Sequence, residues 1–170
     1  MNYFELFEIP VTFGVESAPL KRTFYELSRR FHPDFHTDAS SEEREKVLEK
    51  STQINEAYRI LSDENTRMKY ILSIFGNFEE KGNEALPQDF LMEMMDWNEM
   101  LEDLEENPSE IAKSALETEI STAESNLFLA VKPLIISYKV GDDLTEIKKY
   151  YLKKRYLLRM RERLFSFAPL

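Results

Sequence analysis

His32 and His36 are the chain's two imidazoles, and with Asp34 between them they stand four residues apart, the spacing at which two metal ligands share one face of a helix. Pro33 spoils that geometry. It removes an amide donor and pushes His32 away from helical angles, so no regular helix presents both rings together and no metal site is expected. Cysteine is absent, which removes thiolate metal sites, disulfides and thiol nucleophiles, and fits a reducing compartment. Paired carboxylates are no better guide: 32 Asp and Glu residues supply pairs everywhere, and nothing marks one pair as buried or shifted. The expectation is a protein with no catalytic residues and no cofactor. Docking is the chemistry that Arg29-Arg30-Phe31-His32-Pro33-Asp34 offers, with an imidazole and a carboxylate held in a stiff turn just beyond a positive surface.

The elements that position this turn can be read from apolar spacing. Leu20, Phe24, Leu27 and Phe31 fall on one face of a helix over 20–31, leaving Lys21, Arg22, Tyr25, Arg29 and Arg30 toward water. Ser17 offers an N-cap hydroxyl, and Pro19 fits the first turn. After an exposed loop over 35–39, Ser40 and Glu43 have capping-box spacing. The helix they open should run to about Leu61, burying Val47, Ser51, Ile54, Tyr58 and Leu61 with Leu48 and Ala57 alongside. Packed antiparallel, the two helices form a hairpin with His32 at its tip. A short helix over 2–7, ended by Pro10, a loop over 11–15, and a helix capped by Asp63 that uses Tyr70, Ile71, Ile74 and Phe75 should flank the hairpin.

Gly76, Gly82 and Pro87, with charges between them, mark a boundary, so the expected organisation is a first domain over 1–75, a linker over 76–87 and a second domain over 88–170. From 88 to 106, Phe90, Met94, Trp97, Leu101 and Leu104 make a heptad seam. Asn107-Pro108-Ser109-Glu110 reads as the start of another helix, with Leu116, Ile120, Ala123, Leu127 and Ala130 as its seam and Pro133 as a kink or an early end. Gly141-Asp142-Asp143 is a stop and a new cap. The last helix, from about 144 to 165, should turn Ile147, Tyr151, Leu158 and Phe165 inward, completing a three-helix bundle.

Composition agrees with an all-α chain: only 4 Gly and 7 Pro occur, no long alternating β-branched run competes, and 42% apolar residues suffice for a core in each domain. A net charge of −10 argues against nucleic acid, and the asymmetry beneath it is larger. Fifteen carboxylates face two lysines over 79–124, whereas 148–163 carries eight basic residues and one acid. The basic stretch, interleaved with Tyr150, Tyr151 and Tyr156, can be neutralised within its own bundle, with Lys154 and Arg161 covering the core by their stems, so no membrane or nucleic-acid surface is expected of it. The most apolar stretch, 127–138, is short and interrupted by Lys132 and Pro133, and the start of the sequence lacks a charged, apolar leader; the expectation is a cytoplasmic protein.

On the acidic helix the core seam uses one face, yet Leu91, Met92 and Met95 point away from it among Asp96, Glu99 and Asp103. Methionine adapts to irregular surfaces, and an apolar patch rimmed by carboxylates suits a partner with a greasy spot ringed by Lys or Arg.

A basic helix ending in His32-Pro33-Asp34, preceded by Tyr3-Phe4-Glu5-Leu6-Phe7-Glu8-Ile9-Pro10 and followed by Ile54-Asn55-Glu56-Ala57-Tyr58-Arg59-Ile60-Leu61-Ser62-Asp63, Arg67 and Tyr70, resembles the J-domain of co-chaperones that stimulate DnaK-class ATPases. With Phe90-Leu91-Met92-Glu93 beyond it, the whole chain is similar to the HscB family, J-proteins that deliver the IscU iron-sulfur scaffold to the chaperone HscA. The resemblance implies an N-terminal J-domain hairpin and a C-terminal scaffold-binding bundle. It implies chaperone contacts at His32, Pro33, Asp34, Lys21, Arg22, Arg29 and Arg30, and scaffold contacts at Leu91, Met92, Met95, Asp96, Glu99 and Asp103. Tyr151 is the nearest match to an interfacial aromatic of the family, while its heptad position suits core packing as well. Met95 and Asp96 stand where the family carries leucine and glutamate, Glu26 interrupts the basic helix, and Phe35 occupies a position often basic. The rival implied by the J-domain alone is a general co-chaperone for unfolded clients.

Overall fold

The computed structural model describes residues 1–81 and 85–166, and divides the chain into two compact units: Met1–Asn77 with Tyr138–Asp142, and the remainder. Gly82, one of the expected boundary markers, lies outside the described residues. Among the described residues there is no strand. The elements are α1 (Tyr3–Leu6), α2 (Ser17–Arg30), a 3-10 turn (Pro33–His36), α3 (Ser41–Ser62), α4 (Glu64–Phe75), α5 (Gln88–Glu106), α6 (Glu110–Ser137) and α7 (Thr145–Phe165).

In the first unit the capping signals work as local chemistry predicts. Ser40 and Glu43 exchange both hydrogen bonds of a capping box at the start of α3, and Asp63 accepts from the Thr66 amide at 2.8 Å to open α4. The amide pulls the Asp63 carboxyl below its usual range. Asn2 and Glu5 form a further capping box on α1, which lets a four-residue helix persist. Ser17 does not cap α2: it is the first helical residue, Glu16 holds the cap position, and no side chain bonds there.

α2 and α3 pack as the expected hairpin, with Phe24 stacked on Tyr58 at 4.2 Å, and Leu20, Ile54, Ala57 and Leu61 buried. Leu48 and Ile74 are exposed instead of buried. Leu48 lies about a third of a turn round α3 from Ile54, outside the buried stripe. Arg67 is the one buried charged residue described, and its guanidinium donates to the Phe13 carbonyl at 2.9 Å and the Leu61 carbonyl at 2.5 Å. It ties the loop after α1 and the end of α3 to α4, and burial lowers its pKa. Tyr138, in the segment after α6 that belongs to this unit, meets Phe13 edge-on at 5.0 Å.

The second unit is the three-helix bundle α5, α6 and α7. All five seam residues of α5, Phe90, Met94, Trp97, Leu101 and Leu104, are buried against Leu116 and Ile120 of α6 and Leu157, Met160 and Leu164 of α7. Polar ties close the bundle around them: Asn98 Nδ2 donates to the Tyr156 hydroxyl at 2.9 Å, Arg161 pairs with Glu124 at 2.6 Å, and Arg163 with Glu105 at 2.9 Å. The cations of α7 are thus spent partly on the acids of its own bundle. Arg155 likewise pairs with Glu80.

Two helices depart from the expected register. α6 runs through Pro133 to Ser137, since Pro133 and Leu129 lie on the exposed side where the carbonyl freed by the missing amide can reach water. Ala130 is exposed, and Val131 takes the buried position beside it. In α7, Ile147 and Tyr151 are buried as expected, but further on Leu157, Met160 and Leu164 face the core, Leu158 is half-buried and Phe165 is exposed. The buried stripe moves by about a quarter turn along the helix.

Candidate docking surfaces

The tip of the hairpin is built by its own backbone. His32 is extended (φ −75°, ψ 128°), as a residue before proline must be, and Pro33 opens the 3-10 turn that follows. Within it the His32 Nδ1 accepts from the Asp34 amide at 3.2 Å, so the neutral ring carries its proton on Nε2 and offers that edge outward. The Asp34 carboxylate lies 3.7 Å from the same nitrogen, and the two side chains are 50% and 84% exposed. The imidazole caps the short 3-10 turn and the Asp34 carboxylate stands in water. His36 serves a different end: its Nε2 meets the Arg30 carbonyl at 3.1 Å, satisfying one of the open acceptors at the end of α2. His32 and His36 therefore do separate work, and among the described residues no group of three or more His, Cys, Asp or Glu side chains is placed to hold a metal.

Lys21, Arg22, Arg29 and Arg30 are all exposed along α2 leading to this tip. Lys21 sits over the Tyr25 ring at 5.9 Å and Arg30 over Phe31 at 5.4 Å, which stiffens their stems without hiding their charge. Phe35, which the sequence marks only as a missing cation, stands exposed and edge-on to His32 at 5.7 Å. It adds an apolar element to the tip.

The second surface lies on α5. At about 100° per residue, Leu91, Met92, Met95, Asp96, Glu99 and Asp103 occupy one half of the helix, opposite its buried seam. Leu91 is 38%, Met92 63% and Met95 70% exposed, and the three carboxylates are exposed with them. Met100, 46% exposed, stands at the edge of that half, beside the seam. It escapes a reading by heptads because it lies next to Leu101 in sequence; a helical projection of every apolar residue finds it. Tyr151 does not join this surface: it is 5% exposed, with its ring edge-on to Phe78 at 5.7 Å, and serves the core.

Comparison with known proteins places both halves of the chain in one family. The chain matches the DnaJ domain over residues 2–70 and the HSCB C-terminal oligomerisation domain over residues 86–164. The co-chaperone protein HscB homolog of Haemophilus ducreyi is 32% identical over 158 residues, covering 89% of this chain and 90% of that protein. That of Vibrio vulnificus is 39% identical over 124 residues, 71% of this chain and 72% of that protein. Among solved structures, the chaperone HscB from Vibrio cholerae superposes with a TM-score of 0.70 at 27% identity, covering 96% of this chain and 95% of that one. The human co-chaperone protein HscB gives 0.77 at 28% identity, covering 96% and 80%. A J-domain tip at the end of a basic helix and a C-terminal helical bundle along nearly the whole length of such relatives leave one assignment: the chain belongs to the HscB family of J-domain co-chaperones.

Proposed function

We propose that this co-chaperone captures an IscU-type iron-sulfur scaffold on α5 and delivers it to an HscA/DnaK-class chaperone, whose ATPase it stimulates through the His32-Pro33-Asp34 tip. The J-domain spans 1–75, a linker 76–87 and the scaffold-binding bundle 88–170, and the protein works in the cytoplasm. It carries no reaction itself. Charge on α2 steers docking to an acidic chaperone surface, and the tip couples docking to hydrolysis. Holding both proteins on one chain raises the concentration of scaffold beside the chaperone, so modest separate affinities suffice.

The observation that carries the scaffold half of this reading is the exposure of Leu91, Met92 and Met95 on a helix whose seam is already filled. Apolar side chains held in water together, rimmed by Asp96, Glu99 and Asp103, are what a partner would cover. Tyr151 supports the bundle from within.

The test is steady-state ATP hydrolysis by the chaperone with this protein, with and without scaffold. Stimulation greater with both than the sum of each alone is the expected result. Stimulation indifferent to scaffold would leave a general J-protein for unfolded clients, and none at all would remove the function from the tip.

A further inference from the structure

We propose that a groove between the end of α5 and the first turns of α6 receives an apolar side chain of the scaffold that is flanked by lysine or arginine. The inference rests on the reading of α5 as scaffold-binding and adds a second point of attachment to it. Ala112 and Ala115, three residues apart on α6, line the groove with nothing larger than a methyl group. The resulting cavity measures about 440 Å³, within the range of pockets that hold a ligand. Leu104 and Leu116, both buried members of the core, form its floor, and Met100 lines it as well. An apolar group entering here would meet packed aliphatic surface on more than one side, which the open face of α5 does not provide.

The lining also states the charge of the occupant. Asp103 from α5 and Glu119 from α6 are both exposed there, and neither has a salt-bridge partner among the described residues. Their neighbours differ: Glu105 is paired with Arg163 and Glu124 with Arg161, so these two arginines of the bundle are committed elsewhere. The helix dipole favours cations at the end of α5, not carboxylates, so Asp103 gains nothing from its position in the helix. A partner's Lys or Arg would supply the missing charge. Asp103 belongs to the exposed half of α5 and Met100 stands at its edge, so the groove adjoins the surface that carries Leu91, Met92 and Met95. A second copy of this chain has a net charge of −10 and already pairs Arg155, Arg161 and Arg163 of its basic helix with its own acids, which makes it the poorer occupant.

The experiment titrates purified, cluster-free IscU-type scaffold into the full chain by calorimetry, comparing the wild type with Ala115→Phe, Glu119→Lys, and the double variant Leu91→Ala with Met92→Ala. Filling the groove with Ala115→Phe should weaken binding by roughly ten- to a hundredfold, the worth of one buried apolar side chain, at unchanged helicity. Glu119→Lys should weaken it severalfold and flatten its dependence on salt. Should Ala115→Phe fail to fold, Glu119→Lys carries the test, because its side chain is exposed. Wild-type affinity in both groove variants, with the Leu91/Met92 variant weakened, overturns the groove and leaves the α5 reading standing. Failure of the wild type to bind, or indifference to the Leu91/Met92 change, overturns both. If Ala115→Phe instead dissociates a dimer seen by sedimentation while scaffold affinity holds, a second copy fills the groove and the proposal falls.

Discussion

The two surfaces of this protein are made in opposite ways. The tip of the first unit is mainly polar, confined to one turn, and fixed by local constraint: the Pro33 ring sets the backbone, and a hydrogen bond from the Asp34 amide sets the imidazole. The α5 surface combines apolar and acidic side chains, is spread over several helical turns, and is fixed by what lies behind it, since the buried seam alone decides which half of the helix faces out. Their charges are opposite as well. α2 carries Lys21, Arg22, Arg29 and Arg30 against Glu26, whereas α5 carries eight carboxylates and no cation. A surface of the first kind should fail at a single atom. One of the second kind should weaken by degrees.

The largest effect therefore belongs to the tip. His32→Gln or Asp34→Asn should remove all stimulation of the chaperone's ATPase, while thermal stability moves within about 0.5 kcal/mol, since both side chains are exposed and His32 caps only a four-residue 3-10 turn. Steady-state hydrolysis beside a thermal melt checks both halves. Partial stimulation by both variants would make the tip a distributed surface like α5 and end the contrast. On α5, Leu91→Ala or Met92→Ala should each weaken scaffold binding severalfold and the pair by roughly ten- to a hundredfold, with near-additive free energies. Complete loss from one substitution, measured by titration, would show that α5 has a single anchor after all.

The contrast also explains what could be read from the amino-acid order. Capping boxes and the His-Pro-Asp turn are local, so Ser40, Glu43, Asp63 and Pro33 act as their types predict. The α5 seam is legible because five bulky residues recur at heptad spacing, while Leu91, Met92 and Met95 fall on the opposite half of the helix. α7 offered too many: Tyr150, Tyr151, Leu152, Tyr156, Leu157 and Leu158 permit more than one stripe, and the neighbouring helices choose Leu157, Met160 and Leu164. Other features depend on contacts remote in sequence. Arg67 looks like a surface residue until the Phe13 and Leu61 carbonyls are brought to it, and the segment Tyr138–Asp142 belongs to the first unit only because the chain returns there. The groove beside α5 was illegible for a related reason: alanines at 112 and 115 announce an absence of volume only once α5 lies opposite.

The smallest effect separates the tip from the stability of the unit that carries it. Asp63→Ala removes the cap of α4 and should cost about 1 kcal/mol at neutral pH. Because the folded carboxyl titrates below its ordinary value of 3.8, its charge stabilises the unit above that value. That contribution is lost as pH falls further, through the lowered folded pKa. The gap between wild type and variant, followed by urea unfolding, should be constant from neutral pH down toward 3.8 and narrow below it. ATPase stimulation at neutral pH and moderate temperature should be equal for the two proteins, since Pro33 and the Asp34 amide order the tip without help from α4. If stimulation falls in proportion to stability, the tip depends on the whole unit's cooperativity, and its local construction is not what makes it work.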